Sequence, residues 1–82
     1  MGYVEVEEEV LDIAHYVTGK EAGSILPGHY FSGDLEWEDF EWDLFLVEVE
    51  RSFNVPIIDC STEKLRAGTV GEMATYLHEL IE

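Results

Sequence analysis

Cations are scarce in this chain. Lys20, Arg51, Lys64 and Arg66 are its only basic residues, against 19 acids, which leaves a formal charge of −15 over 82 residues. Such a surface repels nucleic-acid phosphates and the anionic face of a membrane, so neither DNA, RNA nor lipid is an expected partner. Basic protein surfaces are the natural counterparts, and the acidic field speeds their encounter to a degree that falls with salt.

Cysteine is nearly absent as well. Cys60 stands alone, so the chain makes no intramolecular disulfide and no cysteine-ligated zinc site, and a reducing, cytoplasmic setting is expected. No segment approaches the roughly 18 consecutive apolar residues of a membrane span. The first ten residues, MGYVEVEEEV, lack the basic and apolar regions of a signal peptide. Gly2 follows Met1, but Val6 stands where N-myristoylation asks for Ser or Thr.

The chain is nonetheless 46% apolar and 12% aromatic, too rich in core-forming residues for intrinsic disorder. It is expected to fold as a single domain over residues 1–82. A chain of this length buries only about 60–65% of its unfolded surface, enough for one modest core. A large buried active site is not expected.

Apolar residues at Val6, Val10, Ile13, Ala14 and Val17 recur with helical spacing, which predicts a first helix over 4–18 stopped by Gly19. Glu5, Glu7, Glu8 and Glu9 crowd its start, where carboxylates favour the positive end of the helix dipole. Residues 19–38 carry Gly19, Gly23, Gly28, Gly33 and Pro27 without periodicity and read as a long loop. Ile25, Leu26, Tyr30, Phe31 and Leu35 are its candidates for pinning to the core, since so long a loop is usually functional or partly structured.

A second helix is expected from Asp39, read as its N-cap, to Phe53, with Pro56 preventing continuation. A short helical element follows in STEKLRA. The last helix is delimited by a capping box, Thr69 and Glu72 in TVGE, and striped by Val70, Met73, Ala74, Leu77 and Ile81. These elements imply an all-α fold, a small irregular four-helix bundle with a long loop between helices one and two.

The second helix has two apolar faces. At about 100° per residue, Trp42, Phe45, Leu46, Val49 and Phe53 gather on one side and Phe40, Leu44 and Val47 about opposite. Glu41 and Glu48 run along one border between them, Asp43 and Glu50 along the other. The larger face is core. The smaller is either a strip for a protein partner or a second copy, with acids steering the approach, or it lies under the long loop. Of Trp37 and Trp42, which flank the helix start, one is expected in the core and the other as a contact.

FSGDLEWEDFEWDLFLVEVERSFNVPI resembles a segment of the acyl carrier protein family that runs from a phenylalanine through Asp-Leu and Asp-Ser-Leu into an acidic helix ending in Phe. The match is ungapped from Phe31 to Phe53, with Asp34 and Leu35 in the lead-in. TVGEMATYL, residues 69–77, is similar to the start of the family's final helix. The resemblance implies a four-helix carrier fold whose second helix meets partner enzymes. It also implies a 4′-phosphopantetheine arm on the serine of Asp-Ser-Leu.

Here the matching tripeptide is Glu38-Asp39-Phe40. A carboxylate offers no hydroxyl nucleophile for the phosphodiester, and Ser24, Ser32, Ser52 and Ser61 stand out of register. No cofactor is therefore expected at Asp39, which reads as a helix cap or as a fixed anion in place of a phosphate. The alternative is an acyl or peptidyl carrier of the fatty-acid, polyketide or nonribosomal peptide type whose serine is replaced naturally or by engineering.

Other chemistry is weakly indicated. His15 is expected in solvent and His78 beside the last helix's stripe; His29 is unexplained. A Cys60–His pair would need distant parts of the chain to meet. The acidic runs lack the ligand order and central glycine of a calcium loop, so no metal site is expected. The expectation is thus a non-enzymatic, carrier-like domain, monomer or weak homodimer, that binds a protein with a basic surface, with a biosynthetic enzyme as the candidate partner.

Overall fold

The computed structural model describes residues 2–19, 24–56 and 59–81, excluding the side chains of residues 59–61. Four helices follow in chain order, α1 (Tyr3–Thr18), α2 (Asp39–Phe53), α3 (Asp59–Arg66) and α4 (Val70–Ile81). Among the described residues there is no strand, only an isolated antiparallel bridge between Tyr30 and Thr69. The fold is a small all-α four-helix bundle, and its radius of gyration of 11.4 Å matches the roughly 12 Å of a packed domain this long.

α1 packs against both α2 and α4. Its stripe does this, with Val6, Val10, Ile13 and Ala14 buried and Val17 partly so. The helix ends where Gly19 enters the left-handed region at φ 72° and donates its N–H to the His15 carbonyl at 2.8 Å, a conformation that favours a residue without Cβ. Ser52 of α2 donates to Glu9 Oε1 at 2.7 Å, a polar tie at the rim of the α1–α2 contact.

The capping box of α4 is present in both halves. Thr69 N–H donates to Glu72 Oε1 and Glu72 N–H to Thr69 Oγ1, each at 3.1 Å. The two following amides are satisfied by the long loop: Val70 N–H donates to the His29 carbonyl at 3.0 Å and Gly71 N–H to the Pro27 carbonyl at 2.8 Å. The loop therefore supplies the acceptors that a helix start lacks.

That stitching decides which loop side chains reach the core. Ile25, Phe31 and Leu35 are buried as expected, whereas Leu26 and Tyr30 are exposed. Ile25 and Phe31 face inward, while their chain neighbours Ser24, Leu26, Tyr30 and Ser32 are exposed. The loop segment 20–23, with Lys20 and Gly23, lies outside the described residues.

Both tryptophans are core, so the expectation that one of them forms a surface contact is not met. Phe31 sits 5.2 Å from Trp37, 5.1 Å from Trp42 and 5.3 Å from Phe45, ring centre to ring centre. Trp37 lies a further 5.1 Å from Phe45. These tilted and edge-on contacts fuse the loop to the inner face of α2, and they add to the area the rings bury.

Candidate functional site

The inner face of α2 is buried at Trp42, Phe45, Val49 and Phe53, with Leu46 half-buried. The opposite face is open: Phe40 is 67% exposed, Leu44 39% and Val47 50%. The loop aromatics Phe31 and Trp37 pack on the inner side, and the outer strip stays at least partly open to solvent along its length. Of the two fates the sequence allowed this strip, exposure is the one observed.

The four acids lie where the helical geometry puts them, along the borders of the strip. Asp43 and Glu50 are exposed, and Glu41 and Glu48 half-buried. Glu41 Oε1 accepts the Glu38 N–H at 2.9 Å, and Glu48 Oε1 stands 3.4 Å from Arg51 Nη1. Arg51, a turn beyond Val47, continues the line of the strip. Its place on that line follows from its spacing after Leu44 and Val47, a signal present in the sequence.

Asp39 is not the N-cap. Glu38 holds that position with extended backbone, φ −90° and ψ 176°, and Asp39 is the first helical residue. The distinction matters because it is the residue at the cap position whose side chain is placed to accept from the amides two and three residues on. One residue later the carboxylate points away, and Asp39 Oδ1 accepts a hydrogen bond from Arg66 Nη1 at 2.7 Å. Arg66 Nη2 reaches the Trp37 carbonyl at 3.4 Å. Asp39 still lies in the first turn, where the dipole favours its charge.

Arg66 was invisible as a site residue in the sequence, since nothing local links the end of α3 to the start of α2. With Trp37, Glu38, Asp39 and Phe40 it lines a shallow, open hollow beside the strip. Asp39 stands where the resemblance aligns the attachment serine of the carrier family. The residue at the attachment position offers a carboxylate, already engaged by Arg66, and no hydroxyl.

The histidines stand apart from this face. His15 is half-buried, not solvated, because the loop crosses it and Ile25 N–H donates to its Nε2 at 3.4 Å. His29 Nδ1 accepts the Leu26 N–H at 3.1 Å and closes a turn. The His78 ring packs edge-on to Tyr3 at 5.8 Å. The side chains of Cys60 and Ser61 lie outside the described residues. Among the described residues no group of three or more His, Cys, Asp or Glu is placed to hold a metal ion, and no helix is long and apolar enough to cross a membrane.

The chain matches no protein-family model and no curated protein.

Proposed function

We propose that this domain is a carrier-like, cytoplasmic protein-binding module that docks a partner on the outer face of α2 and carries no prosthetic arm at Asp39. Phe40, Leu44 and Val47 are its anchors. Glu41, Asp43, Glu48 and Glu50 steer a basic partner surface toward them, with no catalysis by this chain itself. The observation that carries the reading is the exposure of three large apolar side chains in one line between acidic borders, on a helix whose other face is fully employed in the core.

The like charge of two copies opposes self-association through this face and favours a monomer that meets a different protein. The test is site-specific photo-cross-linking in the source cells, with a benzophenone amino acid at position 47 and, as control, at Tyr16 on the exposed side of α1. Position 47 is expected to trap a discrete adduct that Leu44→Ser suppresses. The same adducts at both positions, or none at position 47, would overturn the reading.

A further inference from the structure

The exposed strip carries more information than its hydrophobicity. Phe40, Leu44, Val47 and Arg51 are spaced four, three and four residues apart, the seam spacing of a coiled coil. Written as d, a, d and a of a heptad, this register makes Glu41 and Glu48 the e positions and Asp43 and Glu50 the g positions. Every residue flanking the seam is acidic. The remaining positions b, c and f include Trp42, Phe45, Leu46 and Val49, the residues that face the bundle.

From this pattern we infer that the occupant of the α2 face is a basic amphipathic helix of another protein, lying alongside α2 with apolar residues on its seam and Lys or Arg at its own e and g positions. The inference rests on the docking reading above and names its partner's chemistry. Two observations favour a helix over a groove. With its inner half fixed in the bundle, α2 cannot be enclosed by a cleft and offers only one side. That side has the narrow seam and charged flanks by which helices choose one another.

A second copy of the chain would oppose acids to acids at every flanking position, which disfavours a homodimer. Arg51 closes the apolar seam with a cation whose side chain is 73% exposed and is paired with Glu48 at 3.4 Å. The contact thus runs about 17 Å, some three turns, from Phe40 to Arg51.

The experiment uses two labelled synthetic three-heptad peptides of identical composition. One has Leu at a and d and Lys at e and g; the other has its lysines moved to b, c and f. Fluorescence anisotropy is read against the full chain and its Leu44→Ser and Tyr16→Ser variants, with far-UV circular dichroism confirming that each variant folds. The first peptide is expected to bind at least about tenfold tighter than the second, and Leu44→Ser to remove that preference while Tyr16→Ser leaves it intact. Binding should weaken as salt shortens the electrostatic range from about 10 Å to about 3 Å.

Equal binding of the two peptides, a preference unmoved by Leu44→Ser, or no binding of the first peptide would each overturn the helical occupant. The docking reading fails separately. If position 47 still cross-links a partner while the first peptide does not bind, only the identity of the occupant is wrong.

Discussion

Asp39 and Arg66 meet across 27 residues of sequence, with carboxylate oxygen and guanidinium nitrogen 2.7 Å apart. The last residue of α3 is thereby bound to the first of α2, and the same guanidinium reaches the Trp37 carbonyl. The Asp39 side chain is 89% exposed, so solvent screens the pair and holds its contribution to roughly 0.2–1 kcal/mol. Asp39→Asn is expected to lower stability by less than about 1 kcal/mol. Arg66→Ala removes both bonds and some packing of its methylenes, and should cost more. Urea unfolding measures the two, and about 1 M NaCl should erase most of the Asp39→Asn difference.

The same position decides the chemistry of any arm. Incubated with a phosphopantetheinyl transferase and coenzyme A, the unaltered chain is expected to keep its intact mass. A mass gain by the unaltered chain would refute the armless reading. A gain by Asp39→Ser alone would establish that the surface read by the transferase survives with only the nucleophile missing.

The two faces of α2 should respond oppositely to substitution. Phe40→Ser and Val47→Ser remove side chains that are at least half exposed, and each is expected to change stability by no more than about 0.5 kcal/mol, whereas Leu44→Ser, at 39% exposure, should cost about 1 kcal/mol. Phe45 is fully buried beneath three other rings. Phe45→Ala should cost about 3–5 kcal/mol, through lost transfer energy and the cavity left behind. In a domain of this size each kcal/mol moves the melting temperature by about 4–8 °C, so calorimetry separates the faces without a partner in hand.

What the sequence made legible follows the same division. Periodicity located α1, α4 and both faces of α2, because a stripe such as Val70, Met73, Ala74 and Leu77 has one way to be buried. The short α3 shows no such stripe, and it starts at Asp59, two residues before the STEKLRA stretch expected to form it. The loop was less legible, since no period relates Ile25 to Phe31. Their burial is set by hydrogen bonds from α4 amides to the Pro27 and His29 carbonyls. Glu36 adopts φ 55° although glutamate has no preference for the left-handed region, so tertiary contacts on either side impose it. Asp39 was misread by one position because Glu38, a poorer cap by composition, takes the cap in company with Glu41. Whether the outer strip was covered turned on where the loop put its aromatics, which no local pattern encodes.

The loop's hold on α4 yields a prediction against ordinary helix propensity. Gly71 is helical, and replacing a helical glycine by alanine generally stabilises by about 1 kcal/mol. Here a Cβ on residue 71 would lie 3.2 Å from the Pro27 carbonyl oxygen, which accepts the Gly71 N–H at 2.8 Å. That oxygen belongs to backbone tied down by its neighbours, and it cannot retreat without lengthening the bond that caps the helix. Gly71→Ala is therefore expected to destabilise by about 1 kcal/mol, because overpacking outweighs the propensity gain. Amide exchange at residues 70 and 71 should quicken beyond the global change if the contact is what fails. A stabilised variant with unchanged exchange would mean that the loop yields freely and that the close approach of Pro27 does not require glycine.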